Sequence, residues 1–482
     1  MKRWRRPAFA AFLLAYFLHF AWDGLGARFA PDDMMNMASH WRLGPVGLLL
    51  AQFTPWRGVL RPMGGLFYMP ILYGFGLNPL PYHAVMMVFL LANVCLVYRF
   101  ARLLGAGELA AGLAALPACY HAGLSFLYYD TAYIYDVLCC FFYLAAFVYY
   151  ARARARGRLL RPGEMLAFLG LYLCALNSKE MAVTLPAVLV AYEWIYHQGP
   201  GWNWTGLSRW LRGQGRVALI AAALNLVYLY GKAFGPDPLF KIPGYRPVFS
   251  FARFMDFQKA AIADLFCKWN YFDRRGILAI WVLLFYLAWR RAQGAPQGAP
   301  RPVLRFCWIF MVVAPLPLEF LEGRGAACLY IPLAGWAVFA SVVFVDIARA
   351  VSGFLSGEPV FRHLGRQGLL AAIVAGGVFL WVQENQHLKT SFVKPAIARL
   401  GQQTWEVIEQ LRALNPRVPP RSRVVFLNDP FQDWDMVFIA GLWFRDPSVI
   451  IHLHRKTPFP PEELANMDYQ FRFENGKLIR VR

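Results

Sequence analysis

Residues 82–100 read YHAVMMVFLLANVCLVYRF, an apolar run in which Arg99 is the only fixed charge. The hydrocarbon core of a bilayer is about 30 Å thick, and a helix needs about 20 residues to cross it. This run therefore predicts a membrane-spanning helix. Similar runs recur along the chain and predict about eleven spans, at 7–22, 82–100, 109–128, 132–151, 164–177, 180–197, 216–234, 276–291, 303–320, 326–345 and 367–384.

The composition agrees with repeated spans. Of 482 residues, 58% are hydrophobic and only 16% are charged, with a mean hydropathy of +0.39. A soluble protein carries about 25% charged residues. The sequence therefore predicts a mainly α, polytopic membrane helix bundle, and it excludes a cytosolic enzyme, a DNA-binding protein and a secreted disulfide scaffold.

The basic residues predict the orientation, because cytoplasmic loops are enriched in Lys and Arg. The opening MKRWRR places the N-terminus inside, and eleven alternating spans then place RARARGRLLR (152–161) inside and the C-terminus outside. The net charge of +21 is thus a topology signal, and no nucleic-acid partner is expected. We expect a bacterial inner membrane with the active site facing the periplasm; in a eukaryote the same face is the lumen of the endoplasmic reticulum.

One apolar run stops at Asn177 and resumes after Ser178, Lys179 and Glu180. We interpret this as two helices whose junction lies at a membrane surface. The alternative is one long kinked helix, which places Lys179 and Glu180 in mid-helix, where charge is costly without partners or water.

Three regions outside the spans are long enough to form structure. Within a membrane domain of residues 1–384, the outer loops 23–81 and 235–275 predict short surface helices, the second with an amphipathic stripe. Residues 385–482 predict a small extracytoplasmic α/β domain with a helix near 394–414 and strands at 423–427 and 448–453. We expect the cysteines to pack as small apolar side chains and to form neither a disulfide framework nor a metal site. They are Cys95, Cys119, Cys139, Cys140, Cys174, Cys267, Cys307 and Cys328.

Adjacent carboxylates occur in the first outer loop, at Asp32 and Asp33 within RFAPDDMMNM. They could form a solvated turn and helix cap after Pro31. Alternatively, one carboxylate could act as a general base toward an acceptor hydroxyl while the other orients it or holds a divalent cation. A positioned base contributes about 10²- to 10⁴-fold in rate.

With RFAPDDMMNM, the stretches RPMGGLFYMPILYGFGLNPLPYH (61–83) and NSKEMAVTLPAVLVAYEW (177–194) complete a pattern that resembles the GT-C glycosyltransferases. The resemblance is greatest to the branch of protein O-mannosyltransferase-like enzymes and their bacterial relatives. It covers residues 23–195 in detail and the remainder only in hydropathy. It implies a polytopic enzyme that transfers a sugar from a polyprenyl-phosphate donor to an acceptor on the outer face.

The resemblance also implies roles for individual residues. Asp32 or Asp33 matches the catalytic carboxylate, and spacing alone does not separate them. Lys179 matches a lysine that neutralises the donor phosphate, with Glu180 setting its position; a salt-bridged junction is the structural alternative. Arg61 and His83 fall in an Arg-Pro and Tyr-His pattern that could face the phosphate. The alternatives are an interfacial arginine and a hydrogen-bonded helix-end histidine.

Two further charges are implied in supporting or binding roles. Asp136 lies about one turn into a span, where an uncompensated carboxylate is costly, so we rank it above Asp130 as a sugar or cation contact, against a buried hydrogen bond. Arg324, in LEFLEGRGAACLYIP, resembles an outer-loop arginine that could bind the phosphate bidentately. Pairing with Glu319 or Glu322 is the alternative.

The sequence thus predicts inverting transfer of a hexose or pentose from a polyprenyl-phosphate-linked donor to an acceptor hydroxyl, with membrane lipid as the other partner. No cofactor is assigned, although a divalent cation is possible, and HLHRK (452–456) fits a strand better than a metal site. The main alternative is a transporter or flippase of a lipid-linked sugar, and a silent sugar-binding scaffold is the third possibility. The sugar and the acceptor (protein, glycan or lipid) are not encoded in these motifs.

Overall fold

The structure is a computed structural model that describes residues 2–57, 61–197, 199, 203–236, 238–266, 273–290, 301–361 and 363–482. Cys267 lies outside the described residues. In the first half the helices are α1 (Lys2–Ala21), α2 (Pro31–Phe53), α3 (Pro62–Phe75), α4 (Pro79–Leu103), α5 (Glu108–Cys119), α6 (Phe126–Tyr129), α7 (Ile134–Arg154), α8 (Pro162–Ser178), α9 (Leu185–Tyr196), α10 (Trp204–Arg212) and α11 (Arg216–Phe234).

The second half continues with helices and ends in a sheet. The helices are α12 (Phe251–Leu265), α13 (Arg274–Trp289), α14 (Pro302–Val313), α15 (Leu316–Glu319), α16 (Tyr330–Leu355), α17 (Gly365–Leu388), α18 (Lys394–Arg399), α19 (Gln402–Leu414), α20 (Asp435–Phe444) and α21 (Pro461–Ala465). The strands are β1 (Arg423–Leu427), β2 (Ile450–Leu453), β3 (Tyr469–Glu474) and β4 (Lys477–Arg480).

The chain is an integral membrane protein with a mainly α, polytopic fold, as the composition predicted. Seven helices among the described residues are long and apolar enough to cross a membrane: Pro7–Gly26, Pro79–Leu103, Thr131–Arg154, Arg216–Phe234, Pro302–Glu319, Ala326–Leu355 and Gly365–Leu414. The other predicted spans coincide with the shorter helices α5, α8, α9 and α13. One expectation is wrong in detail: 109–128 is not a single helix, because α5 ends at Cys119 and α6 begins only at Phe126.

Burial identifies the centre of the bundle. In the most apolar 18-residue stretch of each span, 83% of the residues are buried for the span containing α16 and 72% for the span containing α7. Only 6% are buried for the span containing α17. α7 packs against α4 and α8, and α16 packs against α5 and α14. The remaining apolar surface of the outer helices is the surface that a bilayer would cover.

The first outer loop is helical, as predicted, but its main helix is bent. Gly44 interrupts α2 with a φ of 70°, a left-handed conformation that glycine adopts without steric cost, and Pro45 follows it. Beyond the bend, α2 exposes Val46 and Phe53, each at 71%. The segment before the bend carries the Asp32-Asp33 pair.

The junction at Lys179 is a true interruption. α8 ends at Ser178, and Lys179 is extended with φ −161° and ψ 152°. A 3₁₀ turn over Glu180–Thr184 then leads into α9. The prediction of two helices is therefore confirmed over one kinked helix, and the break places two charged side chains beside α7.

Residues 402–482, which we call the C-terminal unit, form a four-stranded sheet with helices. The strand order is β2-β1-β3-β4; β1 is parallel to β2 and β3, and β4 is antiparallel to β3. The predicted strand at 423–427 is confirmed as β1, and that at 448–453 begins two residues later, at Ile450. The predicted helix at 394–414 is two helices, because Gly401 has a φ of 70° between them. α20 connects β1 to β2 and packs against both β2 and α2.

Candidate active site

Asp33 is fully buried at the start of α2. Its Oδ2 accepts the backbone N–H of Ala30 at 2.8 Å, and its Oδ1 accepts the hydroxyls of Thr131 at 2.5 Å and Tyr68 at 3.3 Å. Burial and the nearby charge of Asp130 raise the pKa of Asp33 well above its ordinary value. Asp33 thus caps its own helix and ties it to α3 and to the segment before α7.

Asp32 faces a different environment, because successive helical residues point about 100° apart. It is exposed, and its carboxylate has no hydrogen-bond or ion-pair partner among the described residues. Asn36 and Ser39 follow it at four and seven residues, on the same helical face. Both of these line a cavity. Asp32 therefore lies on the face of α2 that leads into the cavity.

The cavity has a volume of about 650 Å³. Its walls come from α2, α3, α7, α8, α11 and the segment before α12, and its lining residues are Asn36, Ser39, His40, Leu43, Gly47, Leu50, Ala51, Thr54, Pro55, Arg57, Arg61, Pro62, Tyr135, Asn177, Tyr228, Pro236, Leu239, Ile242 and Tyr245. Among the described residues, the lining includes two arginines and no carboxylate. Burial lowers the pKa of His40 to about 4, so this histidine is neutral at neutral pH and the arginines supply the positive charge.

Arg61 stands at the polar wall of the cavity. It donates to both oxygens of Glu180, with its shortest contact at 2.7 Å, and its guanidinium carbon lies 5.4 Å from the centroid of the Tyr135 ring. Lys232, from α11, contacts the same Glu180 at 3.0 Å. One carboxylate thus holds two cations, and this arrangement leaves the group with a net positive charge.

Lys179 and Asp136 form a second ion pair nearby. The lysine Nζ lies 2.6 Å and 2.7 Å from the two Asp136 oxygens and 3.2 Å from the Cys328 sulfur. Asp136 is 5% exposed. The two charges therefore compensate each other in the buried ion pair.

Arg324 does not pair with its acidic sequence neighbours. Its guanidinium donates to the carbonyl of Gly244 and lies 3.9 Å from the centroid of the Tyr245 ring. Glu319 instead accepts from Gln258 at 2.8 Å, and Glu322 lies 3.9 Å from Arg253. Since Tyr245 lines the cavity, Arg324 stands behind that ring and supports the segment that carries it.

Asp130, the carboxylate ranked below Asp136 from the sequence, lies in the turn before α7. It is buried, its Oδ1 accepts the N–H of Ala132 at 2.9 Å, and burial together with the charge of Asp32 raises its pKa to about 7 although the Ala132 bond lowers it. It thus lies in the Asp32-Asp33 neighbourhood, whereas Asp136 is held by Lys179. The sequence signal was present, because an aspartate before Thr131 begins the turn that leads into α7.

The remaining predicted residues are placed elsewhere. His83 is buried in α4, neither ring nitrogen has a hydrogen-bond partner in the described part of the chain, and it is not among the cavity-lining residues. In that same part of the chain, no group of three or more His, Cys, Asp or Glu side chains could hold a metal ion. In the HLHRK stretch, Arg455 pairs with Asp429 at 2.8 Å.

Comparisons with known proteins point to one fold. No family model and no curated protein sequence matches the chain. The apo structure of ArnT from Cupriavidus metallidurans is similar over 96% of this chain and 91% of that chain, with a TM-score of 0.53 and 14% identity. ArnT bound to undecaprenyl phosphate gives a TM-score of 0.50 and 13% identity over 92% of this chain and 85% of that one.

A more distant similarity is to the Archaeoglobus fulgidus oligosaccharyltransferase, at a TM-score of 0.45 and 11% identity, covering 94% of this chain and 64% of that chain. The likeness to ArnT covers nearly the whole chain and shows that the two proteins share a fold.

Proposed function

We propose that this protein is a membrane glycosyltransferase that transfers a sugar from a polyprenyl-phosphate donor to an acceptor hydroxyl. The observation that carries the proposal is the cavity of about 650 Å³, cationic on its polar wall and apolar elsewhere, with the exposed Asp32 on a helical face that lines it. An anionic head group attached to a long hydrocarbon chain has this same division of chemistry. The undecaprenyl phosphate bound to ArnT, a protein of the same fold, supports this choice of donor.

Arg61 is the proposed main contact of the donor phosphate. It lines the cavity, and the planar guanidinium can offer parallel N–H groups to phosphate oxygens. Lys179 and Lys232 add positive charge behind it, while Glu180 and Asp136 hold these cations in place. Arg324 contributes through Tyr245, which it supports from behind.

Asp32 is the proposed general base, and Asp33 is proposed to hold α2 in position. The acceptor hydroxyl oxygen attacks the anomeric carbon while the carbon–oxygen bond to the phosphate breaks. The hydroxyl proton moves to the Asp32 carboxylate, and the electron pair of the broken bond leaves with the phosphate. A single displacement of this kind inverts the anomeric centre. Cations placed where the phosphate charge develops stabilise the transition state.

The cellular setting forms part of the same proposal. The N-terminus lies inside, and the C-terminal unit and the cavity lie on the outer face, which is the periplasm of a bacterial inner membrane. We place the boundary between the membrane domain and the outer domain near residue 384. The basic loop at 152–161 supports this orientation.

The test is transfer of labelled sugar from a panel of polyprenyl-phosphate donors by the full-length protein in lipid. We expect Asp32→Asn to reduce turnover by about 10²- to 10⁴-fold with the protein still folded. Glu462→Gln, an exposed carboxylate in the C-terminal unit, is the matched control and should retain wild-type turnover. Full turnover by Asp32→Asn would exclude it as the base. Donor binding without consumption by the wild type would instead support a transporter.

A further inference from the structure

Helix α10 lies at the end of the bundle opposite the cavity. Lys232, near the end of α11, contacts Glu180 beside the cavity, with 3.0 Å between Nζ and Oε1. α11 begins at Arg216, a distance of about 24 Å from Lys232 along a helix. α10 ends at Arg212, just before that start. Since α11 is long and apolar enough to cross a membrane, α10 lies near the membrane surface on the side away from the cavity.

The side chains of α10 divide into an apolar face and a basic face. In the sequence WTGLSRWLR (204–212), the residues Trp204, Leu207 and Leu211 are three and four positions apart and share one face. Arg209 and Arg212 are three positions apart and share the other face. A helix with aromatic and aliphatic side chains on one face and arginines on the opposite face is typical of helices that lie in the membrane interface.

Trp210 fixes α10 against the start of α11. This side chain is only 8% exposed, and its ring packs on Gly215, where an added Cβ atom would come within 2.3 Å of a ring carbon. At the other end of the helix, the side chain of Asn203 accepts the N–H of Gly206 at 2.6 Å. α10 is therefore a capped and anchored helix, and its two faces have fixed directions.

Both faces of α10 are available to an occupant. Arg209, Arg212 and Arg216 are exposed, and none of them forms an ion pair among the described residues. The sequence between His197 and Arg216 contains no Asp or Glu. On the apolar face, Trp204 is 82% exposed. The chemistry of this surface therefore suits an occupant that is both apolar and negatively charged.

We propose that α10, together with Arg216, binds anionic phospholipids of the leaflet opposite the cavity. The apolar face enters the boundary of the acyl chains, and the arginines contact the head-group phosphates. Basic segments beside a membrane attract anionic lipids. A zwitterionic lipid binds less tightly, because its amine cancels the charge of its phosphate. This surface is separate from the cavity and does not depend on sugar transfer.

Native mass spectrometry of the full-length protein tests the proposal by counting the lipids retained from mixed micelles of phosphatidylglycerol and phosphatidylcholine. We expect the wild type to retain phosphatidylglycerol in preference. The double variant Arg209→Gln with Arg212→Gln should weaken this binding by about fivefold, or about 1 kcal/mol, for each arginine removed.

Matched variants separate this surface from general charge and from folding. Arg417→Gln with Arg421→Gln removes the same charge from two exposed arginines of the C-terminal unit and should leave the preference unchanged. Arg209→Lys with Arg212→Lys keeps the charge and should keep most of the preference. Equal loss from both glutamine pairs, or a wild type that does not prefer phosphatidylglycerol, overturns the proposal.

Hydrogen exchange of the peptide covering 203–213, measured in lipid nanodiscs, locates the bound lipid. In the wild type, phosphatidylglycerol should slow this exchange relative to phosphatidylcholine alone, and Trp204→Ser should reduce the protection. Inorganic phosphate added to phosphatidylcholine nanodiscs should give no protection, because the surface takes a lipid and not a free anion. Protection by phosphate alone, or the same exchange in both lipids, contradicts the assignment.

Discussion

The two regions next to α2 carry opposite charge and are built in different ways. At the Arg61 wall, the half-buried Glu180 holds Arg61 and Lys232, and the buried Asp136 holds Lys179. At the Asp32 end, hydrogen bonds rather than cations stabilise Asp33, and Asp32 has no partner among the described residues. The charges of the basic wall are thus held in ion pairs, whereas the acidic end contains Asp130, a carboxylate whose pKa is raised by burial to about 7.

The largest expected effect tests the ion pair of Lys179 and Asp136 in the basic wall. Lys179→Met removes the cation from Asp136, which is 5% exposed, and leaves a buried unpaired charge. Breaking a buried pair in this way costs about 3–5 kcal/mol, whereas an apolar double replacement is often neutral. We therefore expect a large drop in melting temperature for Lys179→Met and recovery in the double variant Lys179→Met with Asp136→Leu.

A surface pair serves as the control for that experiment. Arg274 and Asp256 form an ion pair at 2.9 Å with side chains 58% and 53% exposed. Arg274→Met should change stability by less than about 1 kcal/mol. A comparable loss from both substitutions would show that the Lys179 pair is not a buried structural unit.

The next effect tests whether the basic wall binds the donor phosphate. Arg61→Ala should slow sugar transfer by about 10²- to 10³-fold, the cost of removing one oxyanion-stabilising group. Arg57→Ala should cost less, because Arg57 lines the cavity but is exposed and forms no ion pair among the described residues. Single-turnover assays at saturating donor give the comparison. A larger loss of activity from Arg57→Ala would contradict the assignment of Arg61 as the main phosphate contact.

The last expected effect concerns the acidic end and is read as a pH dependence of stability. The folded pKa of Asp130 is raised to about 7, above its ordinary value of 3.8, so between these pH values the native state binds more protons than the unfolded state. Stability should therefore fall as pH rises from about 4 to 7, by at most about 1.4 kcal/mol per pH unit for one group.

Asp130→Asn should reduce that slope and raise the melting temperature at pH 7 relative to the wild type. Thermal melts at several pH values in the same lipid measure it. Glu462→Gln is the control and should keep the wild-type slope. An unchanged slope in Asp130→Asn would show that Asp130 does not titrate in this range.

Much of the fold follows from local sequence. Apolar runs of about 20 residues predicted the spans, and the charges that interrupt one of them predicted the break at Lys179. The short apolar run RVVFL predicted the strand at 423–427, because burial in a core selects apolar side chains. β3 and β4 were missed, although YQFRFE alternates and Asn475-Gly476, both with positive φ, is a strong hairpin signal. The split of 109–128 does not follow from hydropathy, since Pro117 and His121 lie within an otherwise apolar run.

The candidate site follows from the sequence to a smaller extent than the fold does. The sequence by itself determined that two adjacent carboxylates follow the first span and that charged residues interrupt the later apolar runs. Only the tertiary structure decided that Asp33 is buried while Asp32 is exposed, that Asp136 belongs to Lys179, and that Arg324 lies behind Tyr245. The physical reason is that charge pairing and desolvation depend on distances between residues far apart in the chain. The local sequence determines which charged residues interrupt the apolar runs. Tertiary packing determines which partners each of these residues contacts.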